Sequence, residues 1–500
     1  MGKTVLVIGG GLGSLCGAIR LAKVGFKVIL FEKNSFLGGK INELSINSYR
    51  FDTGPSLLTM PWIIDEIFKF TGCEREHFLE FVPVEPICRY FFPDGFVFDA
   101  SSNQEEMSGE INRLSPKDKD SYNNFINYTE NIYNISINHF LNTLIHEFPR
   151  LLKWRNFPAL LKIYKIDPFR TVHGVVSKFF SDPRMIQLFD RYTTYVGSNP
   201  YKAPATLNVI SYIENKFGGF YIKGGFYRLI EALINIASGM GIEIYTNSKV
   251  DKILYNNGSV RGIEVNGDKI SGDVVLCGMD VVTAYNELIS GFDKKTEILN
   301  RLEPSLSGML FLWGINKKHP QLEHHNILFS SDYKKEFQQI FNELHPPDDP
   351  TIYISITCRK DREHAPEESE NWYVLLNMPY LHEKQKWDVE KSRMKDIVLK
   401  KLKNIGIDIE NEIKEEKVYT PVDFHNLFLS NKGSIYGISS NSKFTAFKRP
   451  PNRSREIEGL YFTGGSTHPG GGVPLVMLSA KIAVELIAER EGINLQKYMN

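Results

Sequence analysis

The first thirty-two residues restrict the fold more than any other stretch of this 500-residue chain. Residues 3–9 (KTVLVIG) are a short Val- and Ile-rich run without polar alternation, which predicts a strand buried on both faces. Gly9, Gly10, Gly11 and Gly13 follow, then Leu15, Ala18, Ile19 and Ala22 at helical spacing, then a second apolar run ending in Glu32. Strand, glycine turn, helix, strand and acid in that order form a βαβ unit whose turn admits a dinucleotide. Gly9 permits the tight turn. Gly11 lets a pyrophosphate approach the helix N-terminus, where unpaired N–H groups favour an anion. Glu32 stands 21 residues beyond Gly11, close to the roughly 20 expected of a carboxylate that accepts from ribose hydroxyls, with Lys33 beside it. Ser14 occupies the third glycine position of the fingerprint. That position serves helix–strand packing, so the serine predicts a helix set slightly further from the sheet.

Further glycine-rich segments extend this site. Gly38, Gly39 and Lys40 follow Glu32 closely, letting the chain pass beneath an extended dinucleotide while Lys40 offsets phosphate charge. In YRFDTGPS (49–56), Asp52, Gly54 and Pro55 mark a turn entering a new element, and Gly54, Pro55 and Ser56 are expected among the cofactor contacts. Far along the chain, GLYFTG (459–464) predicts one more buried strand. Its loop carries Gly464, Gly465, Gly470, Gly471 and Gly472 and opens through Val473 onto a helix. Two such junctions, about 450 residues apart, predict that the first and last segments meet over one long ligand, which FAD fits better than NAD. Residues 249–277 alternate as strands with Asn257-Gly258 and Asn266-Gly267 at the turns, the signature of a meander. Val250 is placed there to pack under an adenine.

The pattern predicts an α/β protein: a Rossmann-like FAD-binding domain with a β-meander, plus a mixed-sheet and helical α+β region for substrate and membrane association. The FAD domain is assembled from residues 1–90, 223–285 and 455–500. Residues 91–222 form a helical substrate and membrane-associating region, and 286–454 a substrate-binding domain.

Charge and composition exclude other classes. Lys+Arg and Asp+Glu number 59 each, a formal net charge of +0, which removes nucleic acid and purely charge-driven lipid binding as expected partners. With 42% hydrophobic and 24% charged residues the chain is globular. No run approaches the roughly 18 apolar residues of a spanning helix, and glycines interrupt the only segment resembling a secretory leader. Five cysteines without a C-x-x-C pair suggest a reducing cytoplasm. No histidine or cysteine cluster has metal-ligand spacing, and neither a phosphate loop nor a nucleophile elbow occurs.

VIGGGLGSLCGAIRLA (7–22), FEKNSFLGGK (31–40), FDTGPSLLTMP (51–61), KGGFYRLIEAL (223–233) and GLYFTGGSTHPGGGVPLVMLSAK (459–481) together resemble the bacterial carotenoid (phytoene-type) desaturase family of FAD-dependent, amine-oxidase-like flavoproteins. The resemblance spans the chain, and the T-H-P-G-x-G-x-P loop is its most specific part. The 51–61 segment is most similar to the 1-hydroxycarotenoid 3,4-desaturase branch. Lys40 stands where the family commonly has Arg, which keeps the charge but loses the bidentate fork.

The resemblance implies desaturation of an acyclic carotenoid, with hydride passing to flavin N5, a proton leaving, and quinone or oxygen as the electron acceptor. Phytoene or diapophytoene desaturation, or a saturase or isomerase using the same flavin site, are its alternatives; a carotenoid carrier with a vestigial nucleotide fold is another class. His468 is the acid–base candidate, or else orients its loop. Arg170, Arg191 and Tyr195 are polar groups in apolar surroundings that either anchor a substrate hydroxyl or serve in ion pairs. Residues 83–98 and 308–315 predict strands that wall a tunnel or pack the core. Residues 135–166 combine apolar faces with basic residues and Trp154. They suit either an interfacial helix giving peripheral contact with the inner face of the membrane or a helix packed on the core.

Overall fold

The computed structural model describes residues 2–136, 163–442 and 449–498. Most of the segment 135–166 therefore lies outside the described residues.

The first layer is a five-stranded parallel sheet in the order Leu460–Phe462, Val274–Cys277, Thr4–Ile8, Lys27–Phe31, Glu243–Tyr245. Its strands are apolar on both faces because both are covered. Val5, Val7, Val28, Leu30, Val274 and Leu276 point to one side, against the helices Leu12–Lys23, Tyr227–Gly239 and Val473–Arg490. Leu6, Ile8, Ile29, Phe31, Val275 and Cys277 point to the other. There the antiparallel meander Val250–Asn256, Ser259–Val265, Asp268–Ser271 lies over them. Both of its turns are the Asn-Gly pairs read from sequence, each pair in left-handed conformation, as tight hairpin turns require.

Ser14 does not displace its helix. Gly278, the residue after the strand Val274–Cys277, makes the room: a Cβ there would stand 1.9 Å from Ser14 Oγ. At the next turn a Cβ on Gly17 would come within 2.5 Å of the Leu276 side chain, so the helix backbone rests directly on the side chains of the sheet. The small residue that the fingerprint expects in the helix is supplied by the opposing strand.

The second layer is a seven-stranded sheet ordered Ile413–Tyr419, Ser307–Ile315, Glu370–Met378, Ile352–Ile356, His325–Leu328, Cys88–Phe91, Val97–Ala100. It is antiparallel except where His325–Leu328 runs parallel to Cys88–Phe91. Alternation divides its faces. Trp372, Val374, Leu376, Ile352 and Ile354 pack with Met394, Val398 and Leu402 of the helix Trp387–Asn404. Tyr373, Leu375, Asn377, Tyr353, His325 and Ile327 face the opposite way and line a cavity. Ser307–Ile315 is buried along its whole length and fills the cores on both sides. Of the two segments expected to wall a tunnel, 308–315 packs the core, while 83–98 contributes Ile87 and Cys88 to the cavity. Helices Gln104–Leu114, Lys119–Ser136, Val172–Phe179, Pro183–Asp190 and Val209–Phe217 roof this side. The roof is held by an aromatic core that includes Phe125, Phe180 and Phe189.

Gly278→Ala should lower unfolding stability by about 1–3 kcal/mol through overpacking, and Ser14→Gly in the same chain should restore most of it, both read by urea unfolding. An alanine variant that unfolds like the wild type would refute the packing account.

Candidate active site

At the carboxyl ends of the parallel strands lies a cavity of about 310 Å³. Gly9, Gly11, Gly13, Ser14, Glu32, Lys33, Gly38, Gly39, Lys40, Gly54, Pro55, Val250, Gly464, Gly465, Gly472 and Val473 all line it. The glycines act here mainly by what they leave out. A Cβ on Gly13 would lie 2.8 Å from Thr463 Oγ1 and 3.2 Å from the Gly464 nitrogen, so the start of the first helix rests directly on the last strand. A Cβ on Gly39 would lie 3.2 Å from Gly11 Cα, and the Gly38 N–H donates to the Gly10 carbonyl at 2.8 Å. The second glycine pair thus binds the first loop to itself as well as bordering the cavity. Gly11 has no protein atom within 4 Å of a Cβ position; the space it leaves belongs to the cavity.

Glu32 is buried and its carboxylate is fixed. Oε2 accepts from the Gly10 N–H at 2.7 Å and Oε1 from the Asn34 N–H at 2.8 Å. An acid clamped at the end of the second strand, beside a glycine turn opening onto a helix N-terminus, is the donor and acceptor set of a ribose–pyrophosphate site. The residues present therefore fit an adenine dinucleotide.

Lys40 occupies the same wall, but its ammonium donates to the carbonyls of Ser434 at 3.0 Å and Ile435 at 2.7 Å. Burial pushes its pKa down to about 8, against the opposing pull of Asp280. Asp280 caps the helix Val281–Glu287 through the N–H groups of Val282 and Thr283, and burial raises its carboxyl above the usual range, Lys40 opposing. The lysine thereby ties the 430–437 segment to the site. Lys33 and Asn34 hold the same stretch, donating to the carbonyls of Asn426 at 2.6 Å and Leu427 at 3.0 Å. Phe424, Leu427–Ser430 and Ile435–Gly437, from a stretch expected in the substrate domain, also line the dinucleotide cavity. Sequence reasoning missed them, together with Gly278 and Asp280. The signal for the latter two was present in the glycine after the apolar strand at 273–277.

A second cavity, about 470 Å³, opens beside the first. Gly54, Pro55, Tyr373, Leu375, Tyr436, Gly471, Gly472 and Val473 line both. Ser56, expected among the cofactor contacts, lines the second cavity and not the first, its hydroxyl 2.6 Å from Tyr353 OH. His468 lines this cavity too. Its loop is held from behind: Asn452 Nδ2 donates to the His468 carbonyl at 3.0 Å and to Ser479 Oγ at 2.9 Å, and Thr467 Oγ1 meets Ser479 Oγ at 2.8 Å. Arg191 and Tyr195 belong to the same cavity. Arg170 does not: it is exposed, pairs with Asp167, and serves at the surface.

The family model of flavin containing amine oxidoreductases matches residues 15–488. A 1-hydroxycarotenoid 3,4-desaturase of Flavobacterium sp. (strain P99-3) is 37% identical over 490 residues, 97% of this chain and 99% of the relative. A 4,4'-diapolycopene oxygenase of Methylomonas sp. is 35% identical over 488 residues, covering 97% and 98%. An oxidoreductase from Methanosarcina mazei shares the fold at a TM-score of 0.65 and 18% identity, over 96% of this chain and 100% of that one. With its clamped acid, glycine-lined dinucleotide cavity and adjoining chamber, the chain belongs to the flavin containing amine oxidoreductases, as an FAD-dependent oxidoreductase of the carotenoid desaturase type.

Proposed function

We propose that this protein is an FAD-dependent desaturase that introduces a carbon–carbon double bond into an acyclic carotenoid, in the manner of 1-hydroxycarotenoid 3,4-desaturation. The observation that carries this reading is the shared wall between the two cavities. A largely apolar chamber, bounded by Leu57, Met60, Ile87, Ile210, Ile213 and Ile327, opens beside the dinucleotide site at Gly54, Pro55 and Gly471–Val473. When bound, FAD supplies a two-electron acceptor that takes hydride from one carbon while its neighbour gives up a proton. The chain's own residues do the rest. Apolar walls hold a flat polyene and exclude water, and the buried knot of Asn452, Thr467 and Ser479 fixes the loop that borders both chambers. Positive charge left on a polyene is delocalised, so a strong base is unnecessary; His468, on the substrate side of that loop, accepts the proton. The substrate is lipid-soluble, so the reading includes peripheral contact with the cytoplasmic face of a bilayer, and quinone or oxygen as the final acceptor. Among the described residues no helix is long and apolar enough to cross a membrane.

Gly11→Val tests the cofactor site. A Cβ at Gly11 has no protein atom within 4 Å and the residue lines the cavity, so the variant should fold normally and purify colourless; full flavin absorbance would refute the placement. Co-expression with acyclic carotenoids of defined structure tests the reaction. Products should lose two hydrogens per new double bond, whereas a gain of oxygen at a terminal carbon, or of two hydrogens, would replace the desaturase reading. His468→Gln should retain flavin yet lower kcat by roughly 10²–10⁴, the range for general acid–base groups, and a change below about threefold would remove His468 from the chemistry.

A further inference from the structure

The chamber beside the flavin site is largely apolar, with Arg449 and His468 among its polar lining residues and a further polar corner around Arg191. Arg191, at the end of the helix Pro183–Asp190, is 6% exposed and lines the chamber. Its guanidinium faces are taken by rings, with the centroids of Tyr192, Tyr90 and Tyr195 at 4.5, 5.2 and 5.2 Å. Of its five N–H donors, the hydrogen bond made among the described residues is one long contact, Nη2 to Glu214 Oε1 at 3.4 Å, and Nε has none. Glu214, also buried, is better satisfied. It accepts from Tyr192 OH at 3.0 Å and closely from Tyr195 OH. Two further wall residues have a buried polar atom without a partner among the described residues, the Tyr333 hydroxyl and His325 Nε2. The other ring nitrogen of His325 lies 2.7 Å from Tyr353 OH, and burial pushes its pKa down to about 3, so the imidazole is neutral.

Unfilled donors of this kind are costly in an apolar wall unless a ligand fills them. The charge balance restricts which ligand. At this corner Arg191 and Glu214 already neutralise each other, so a carboxylate placed there would bury an uncompensated negative charge; the chamber's other arginine, Arg449, is held by the carbonyls of Gly465 and Ile438. A hydrocarbon terminus would leave the donors unpaired. We propose that Arg191, with Tyr333 and His325, is a subsite for an uncharged oxygen function, a hydroxyl or aldehyde, at one terminus of the polyene, and that this corner gives the enzyme its preference for oxygenated over hydrocarbon substrates. The inference rests on the desaturase reading for the identity of the polyene but not for its binding.

The test compares the holoenzyme's Kd, from the absorbance shift of the bound polyene in detergent micelles, and kcat/KM for three acyclic polyenes of equal length. Their termini are a hydroxyl, a carboxylate and a plain hydrocarbon. Wild type should favour the hydroxylated polyene. Arg191→Met/Glu214→Gln removes the pair together, leaves no lone buried charge, and should cut the hydroxyl-to-hydrocarbon ratio by roughly 10- to 100-fold, with retained flavin absorbance reporting the fold. Tyr333→Phe, a change of one oxygen, should cut it roughly threefold. Equal wild-type affinity for hydroxylated and hydrocarbon polyenes, a double variant that keeps the preference, or tightest binding of the carboxylate would each overturn the subsite. A preference seen in Kd with no double bond formed would instead sustain the subsite and refute the desaturase reading.

Discussion

Everything in this protein depends on the parallel pairing of Val274–Cys277 with Thr4–Ile8 on one side and Leu460–Phe462 on the other. The three strands come from the beginning, middle and end of the chain, and each leads at its carboxyl end into a glycine: Gly9, Gly278 and Gly464. These glycines stack. A Cβ on Gly9 would lie 3.9 Å from the Gly278 carbonyl carbon, and one on Gly464 would lie 3.7 Å from the Gly278 oxygen. Ligands of open α/β sheets bind outside the carboxyl ends of the strands, and here that edge is almost bare backbone. The long loops this pairing closes add little further cost, since closure entropy grows only logarithmically with length. The gain is a site lined from both ends of the chain.

The second sheet is oriented by contacts made close to that edge. Asp52 Oδ1 accepts from the Phe226 N–H at 3.0 Å and pairs with Arg50 at 2.8 Å. Arg50 in turn packs so tightly over Gly225 that a Cβ there would fall 2.0 Å from Nη1. The FDTGPS and KGGF segments are therefore two sides of one joint. Tyr49 and Phe51 carry it into the seven-stranded sheet by packing against Leu310 and Leu312. From that joint, strict alternation turns Tyr353, Tyr373 and Leu375 toward the flavin site and their neighbours toward the helix behind. The substrate chamber abuts the dinucleotide cavity because the turn at Gly54-Pro55 ends the hairpin that connects the two sheets.

The βαβ unit, the meander and the terminal glycine loop were legible in the sequence, because each depends on local chemistry: apolar runs, Asn-Gly turns, glycines at strand ends. Contacts set by distant partners were not. Ser14 looked like a defect until Gly278, 264 positions away, provided its space. The 424–437 segment carries no motif, and is held in the cofactor wall by distant partners: Lys33, Asn34 and Lys40 donate to its carbonyls, and Ser305 and Ser307 bond it from behind. Arg170 and Arg191 were indistinguishable as basic residues among apolar neighbours. One reaches solvent beside Asp167 and the other is sealed among three tyrosine rings.

The zero net charge has a counterpart inside the molecule. Two opposed charge pairs lie along the cavities, Lys40 with Asp280 and Arg191 with Glu214, while Arg449 of the chamber wall donates to the carbonyls of Gly465 and Ile438. Burying an ion costs several kcal/mol, and a partner offsets that cost only in close geometry. Neither pair is saturated. Lys40 stays charged at neutral pH at a cost that its depressed pKa of about 8 expresses. The folded protein releases this proton more readily than the unfolded chain, so the group's contribution to stability rises between about pH 8 and the ordinary lysine value. An anion bound nearby would act in the opposite direction, raising that pKa and stabilising the charged form. Arg191 is unsaturated in hydrogen bonds instead of charge, and what relieves it is an oxygen atom without a charge. One cavity is thus poised for a negatively charged ligand and the other for a neutral one, and each draws that selectivity from a charge pair left incomplete.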